Sequence, residues 1–137
     1  MATFNKFNSF VEALAEKVHN LGSDTLTVAL VAAANPPVAT NTQLSNITQI
    51  SYTNLSSRVL SNVTSSQTGG TYTLDANDLV LTASGGSVAT FRYVVIYNDT
   101  ATNDELIGYA DFGSDVTLAS GESFTIRFGA SGILTIA

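Results

Sequence analysis

The chain has no cysteine, no tryptophan, two prolines and a single histidine in 137 residues, and only 12% of its residues carry charge. Without cysteine there is no disulfide framework and no thiolate for zinc or for nucleophilic attack. The lone histidine, His19, has no second imidazole with which to share a metal, and nothing in the sequence places an acid or base beside it. Basic residues are scarce. Lys6, Lys17, Arg58, Arg92 and Arg127 are scattered against eleven acidic residues, giving a formal charge of −6 and a pI near 4.3. Nucleic-acid binding needs clustered Lys and Arg to displace counterions from phosphates, so nucleic acid is not an expected partner. Long apolar runs are also lacking. Leu26–Ala34 stops before Pro36-Pro37, and this stretch and Phe91–Tyr97 fall well short of the roughly 20 residues of a membrane helix, so no membrane partner is expected. The first residues lack the basic and then apolar pattern of a secretory signal, and the chain reads as one made and retained in a cytoplasm.

What is present is β-forming material. Ser, Thr and Asn make up about a third of the chain, interleaved with Val, Ile, Leu, Phe and Tyr. The length predicts one domain over residues 1–137, able to bury roughly 70% of its unfolded surface. Mean hydropathy is +0.23, high for so few charges. Large apolar patches on a lone subunit are an association liability, so this balance predicts a homo-oligomer or an assembly-dependent state.

The first 22 residues read as an amphipathic helix or an arm. Phe4, Phe7, Val11, Leu14, Val18 and Leu21 recur at three- and four-residue steps, and Gly22 stands where a left-handed cap is wanted. Two starts compete: a cap at Thr3, or the capping box Ser9-Phe-Val-Glu12. The second leaves Phe4 and Phe7 in a free arm that only a partner could bury. Phe4, Phe7 and Phe10 are therefore the candidate assembly contacts.

Residues 23–137 change to a period of two. Leu26–Leu30 is a strand that ends before Pro36-Pro37, and Leu44, Ile47 and Ile50 mark a short helix or helical turn. Strand then alternates with turn: from Arg58, Thr71–Asp75 after Gly69-Gly70, Leu79–Thr82, Ala89–Asn98, Leu106–Phe112, Asp115–Leu118, Ser123–Phe128 and Gly132–Ile136. Ala89–Asn98 is apolar on both faces and should be central. About eight strands at this spacing predict a mainly β fold, an antiparallel β-sandwich or jelly roll with an N-terminal amphipathic helix.

Candidate chemistry is thin. Gly85-Gly-Ser87-Val-Ala89 has the spacing of a nucleophile elbow but leads from turn into strand, where the elbow requires strand into helix. Asp99, Asp104, Glu105, Asp111 and Asp115 gather in the C-terminal half, yet the stretch Asp99–Glu105 lacks the glycine and distal glutamate of a calcium loop. His19, in the last turn of the expected helix, suits the dipole there. No catalytic residue, metal site or cofactor is assigned, and the chain is expected not to be an enzyme.

The stretch Phe7–Leu30, the blocks Thr40–Ile50, Phe91–Thr100 and Leu106–Phe112, and the ending from Leu118 to Phe124 resemble small virion proteins of tailed bacteriophages. Among these the chain is most similar to the head decoration, or cement, proteins. The resemblance implies a β-rich protein without catalytic residues. Such a protein binds the outside of the capsid shell, with the major capsid protein and copies of itself as partners, after assembly in the host cytoplasm. It carries no fixed contact motif, so no interface residue transfers. A tail, neck or fibre component is the nearest alternative, and a carbohydrate-binding β-sandwich module is the alternative from another class.

Overall fold

The computed structural model describes residues 3–137. Its elements in chain order are β1 Asn5–Lys6, α1 Asn8–Ala15, β2 Leu26–Val31, β3 Thr64–Thr68, β4 Thr71–Asp75, β5 Leu79–Thr82, β6 Phe91–Asn98, β7 Leu106–Val116, β8 Ser123–Ile126 and β9 Leu134–Ile136. Every strand pairing is antiparallel. The strands form a four-stranded sheet in the order β1-β7-β6-β2, a three-stranded sheet β3-β4-β9 and a two-stranded sheet β5-β8. The fold is mainly β, as the two-residue periodicity predicts.

β6 lies between β7 and β2, and its apolar residues face two separate cores. On one side Val94 and Ile96 meet Leu26, Val28, Leu30 and Ile107, together with Leu74, Leu81, Ile126 and Leu134 from the two smaller sheets. On the other side Val95 and Tyr97 join Ala29, Val31 and Leu106 under Phe7 and Ile47. A sheet covered on both faces needs apolar residues at successive positions, which is why β2 is buried along its whole length. The expected helical turn, a 3-10 turn over Leu44–Asn46, helps to provide this second cover. Asn46 Oδ1 holds it by accepting from the backbone N–H groups of Thr42 and Gln43.

The two cores absorb much of the apolar content that hydropathy assigned to other subunits. The accessible surface is 6785 Å², close to the roughly 6,800 Å² expected of a compact monomer of this mass. Among the described residues the well-exposed large apolar side chains are Val11, Val38, Val59 and Val80. High mean hydropathy therefore reflects a sheet buried on both faces and does not by itself require a partner.

Two expectations are corrected. The helix covers eight residues, not the whole of residues 4–21. It begins after Phe7, whose N–H donates to Ile107 O while β1 ties the preceding residues to β7. It ends in a Schellman motif, with Val18 N–H donating to Ala13 O and Lys17 N–H to Leu14 O. Lys17, at φ +71°, takes the left-handed position assigned to Gly22. Phe10, outside the predicted stripe, is buried, and Val11, inside it, is exposed. The second correction concerns Leu106–Phe112 and Asp115–Leu118, which join into one strand through Val116. Three extra residues bulge between the pairs Tyr93–Asp111 and Phe91–Val116, and Gly113 (φ +80°) sits in the bulge.

Gly132 has a specific structural duty. At φ +70°, a Cβ there would lie 2.6 Å from Leu74 O and 3.0 Å from Asp75 Cβ. The close approach lets Ile133 N–H reach Leu74 O at 2.7 Å and starts β9. Gly132→Ala is expected to destabilise the chain by roughly 2–3 kcal/mol through backbone strain and the clash, read from the urea midpoint. An unchanged midpoint would contradict this account of the turn.

Candidate functional site

The three phenylalanines singled out from the sequence do not form a free arm. Phe7 and Phe10 are almost fully buried in the chain's own core. Phe7 packs on Tyr109 with ring centroids 4.7 Å apart, and Phe10 on His19 at 5.4 Å. Phe4 is half-buried, 5.7 Å from Phe128. Phe7, just before α1, and Phe10, within it, reach opposite cores, so the start of α1 is held by both. Phe4 alone of the three keeps surface for a contact.

The densest polar site centres on Asn98, a residue the sequence did not single out. It ends β6 with no solvent exposure. Its Oδ1 accepts from the N–H groups of Thr100 (3.0 Å) and Ala101 (3.2 Å), which fixes the orientation of its amide. Its Nδ2 then donates to Asp24 Oδ2 at 2.7 Å and to His19 Nδ1 at 2.9 Å. Since Nδ1 accepts, the imidazole proton resides on Nε2, an atom buried without a protein partner, as is Glu105 Oε2. Burial lowers the pKa of His19, with the nearby charges of Glu105 and Asp24 acting in the opposite direction. His19 is thus a neutral, buried side chain beyond the helix end, not an imidazolium against the dipole. Asp24 also accepts from Asn20 N–H, and the cluster ties the 17–24 segment to the end of β6.

Several charged residues are committed to local structure. Arg92 makes a bidentate pair with Asp111 at 2.8 and 3.1 Å. Asp111 also accepts from Gly113 N–H in the bulge, and these two contacts hold its carboxyl below the ordinary range. Arg58 donates to Val28 O and lies 3.6 Å over the Tyr52 ring. Tyr52 in turn accepts from Leu30 N–H and donates to Gln49. Asp99 accepts from Thr27 Oγ1. Asp104 is held above its usual value by partial burial and by the neighbouring Asp99 and Glu105.

Among the described residues no three His, Asp or Glu side chains converge as a metal site. EDTA is accordingly expected to leave the melting temperature unchanged; a fall of several degrees would reveal an ion held by the Asp99–Asp115 region. Ser87 sits in the turn ahead of β6, its carbonyl bonded to Asn54, in turn-to-strand geometry. An apolar surface depression of about 560 Å³ lies between the end of α1 with the residues following it and the three-stranded sheet, lined by Leu14, His19, Leu21, Tyr72 and Ile136. No helix among the described residues is long and apolar enough to cross a membrane.

No protein-family model, no curated protein and no solved structure matches this chain.

Proposed function

We propose that the chain is a structural virion protein that binds the outer surface of a phage capsid shell and cements neighbouring capsomers. In this reading the four-stranded sheet and the two smaller sheets are the layers of an antiparallel β-sandwich. The observation that carries the reading is where the reactive side chains go. The only histidine is bound to Asn98, Arg58 clamps the β2 edge, and Arg92 is paired across β6 and β7. What remains outside is dominated by hydroxyl and amide side chains on a body packed through two cores, a surface suited to many weak polar contacts. Such contacts gain strength by repetition, because each acts at high effective concentration once its neighbours are engaged.

The test is binding of the purified chain to capsid shells that lack it, read by cryo-EM and by quantitative mass spectrometry of the particles. Regular occupancy over the whole shell is the expected result. Density confined to one vertex or to the tail would replace this reading with a neck, tail or fibre role. Absence from particles together with saturable glycan binding would replace it with a carbohydrate-binding module.

A further inference from the structure

The strand edges of this molecule are guarded, with one exception. The outer edge of β2 is covered by residues 58–60, with Val28 N–H bonded to Arg58 O and Leu60 N–H to Leu26 O. β5 has only four residues, and residues 54–56 cover its edge at the Thr82 end through Ser56 and Leu55. β7 carries a bulge and two aspartates, Asp111 and Asp115, along its uncovered half. β1 has two residues, one of them Lys6, and β9 has three. β8 has four, set between Glu122 and Arg127. Shortness, charge, bulges and covering segments are the usual means of preventing strand addition.

β3 has none of them. Its five residues, Thr64-Ser-Ser-Gln-Thr68, are exposed on both faces and contain no charge, proline or bulge. β3 pairs only with β4. Gly69 and Gly70, at φ +59° and +88°, form a type I′ turn that makes Thr68 and Thr71 a hydrogen-bonded pair. By alternation, the backbone N–H and C=O groups of Ser65 and Gln67 point away from β4. These groups are the free edge.

We infer that the β3 edge is a self-association site, pairing antiparallel with β3 of a second copy about a two-fold axis through Ser66. In that register Ser65 exchanges two backbone hydrogen bonds with the partner's Gln67, and Gln67 does the same with the partner's Ser65. Thr64 lies opposite the partner's Thr68, and Ser66 opposite the partner's Ser66. The side-chain pairs are hydroxyl with hydroxyl and hydroxyl with amide, which suit cross-strand hydrogen bonding. A second copy is the occupant the sequence favours for two reasons. The strand is complementary to itself, as a closed two-fold interface requires. It is also an uncharged stretch of a chain with net charge −6, where two copies can align strands without setting like charges opposite each other. The inference concerns the isolated chain, so it stands or falls separately from binding to any shell.

The test uses the absence of native cysteine. Ser66 in this register is a non-hydrogen-bonded pair, with Cα atoms about 4.5 Å apart, inside the disulfide range of about 4.4–6.8 Å. Oxidised Ser66→Cys is expected to form disulfide dimers at least about tenfold faster than Ser65→Cys, Gln67→Cys or the exposed-turn control Ser120→Cys, whose thiols meet no copy of themselves. In sedimentation of the wild type, a dimer should appear with rising concentration, and Ser65→Pro, which removes an outward N–H, should abolish it. Cross-linking of Ser66→Cys no faster than the controls would overturn the proposal. So would a monomer at all concentrations, including the case in which the edge instead takes a strand of a different protein.

Discussion

Phe7→Ala is expected to destabilise the isolated subunit by about 3–5 kcal/mol, the cost of emptying a fully buried aromatic site. For a chain of this size that corresponds to a melting temperature lower by roughly 10–20 °C. The reason is local and specific. Phe7 fills the second core beside Tyr109, over Ala29, Val31 and Val95, and its backbone joins Ile107 at the start of α1. Removing the ring opens one face of the central sheet. Phe4→Ala should cost only about 1 kcal/mol, since that ring is half-exposed and gains only part of the burial energy. Deleting residues 1–8 should be at least as damaging as Phe7→Ala, because it also removes β1. Denaturant melts of the purified variants decide the matter. A Phe7→Ala subunit as stable as the wild type would mean that this ring serves a partner and not the core.

Asn98→Ala is expected to cost roughly 2–4 kcal/mol, because one substitution strips partners from His19, Asp24 and two backbone N–H groups around a buried position. The same cluster makes stability pH-dependent. The folded-state pKa of His19 lies below its unfolded value of about 6.5. Between the two values the unfolded chain binds a proton that the folded chain refuses, so stability rises with pH in that window. The contribution is complete above about pH 6.5 and is lost as pH falls through the folded pKa. His19→Gln should flatten this slope in urea melts between neutral pH and the folded pKa. Asn98→Asp should raise the His19 pKa by adding a carboxylate to those of Glu105 and Asp24 already near it, a shift visible by NMR titration. A His19 titrating at or above its unfolded value in the wild type would contradict the neutral, buried assignment.

Particular elements show how far the sequence could be read. Thr71–Asp75 and Leu79–Thr82 lie where turn chemistry and alternation placed them, since their limits are set by local glycines and polar turns. β6 was recognisable as central because only a sheet covered on both sides uses Phe, Val, Ile and Tyr at successive positions. The alternation of Val59, Leu60 and Val63 placed a strand from Arg58, whereas residues 58–60 run along the edge of β2 and the strand ahead of Gly69 is Thr64–Thr68. Its hydrophobic signal is nil, and the two-glycine turn that closes it was the one available sign that a strand must precede it directly. Asn98 had no sign at all. An asparagine ahead of Asp-Thr reads as a turn residue, and only the fold brings His19 and Asp24, more than seventy positions away, to its amide.

The alternating apolar pattern, the glycine turns and the shortage of reactive side chains determined by themselves that this is an antiparallel β protein. They also determined that its centre is the segment ending at Asn98. These features act between near neighbours, where steric and solvation preferences are the same in any fold. The tertiary structure alone decided which phenylalanines are core, why the helix stops at Ala15, and which strand edge is left open. Each of those depends on a distant partner: Tyr109 and Ile107 for Phe7, Asn98 for His19, and the 54–60 segment for the edges of β2 and β5. Helical periodicity put Val11 on the buried side and Phe10 off it, and the fold reversed the two: Phe10 packs on His19 in the first core while Val11 is exposed. Long-range packing energy exceeds the small preference of an eight-residue helix for one face.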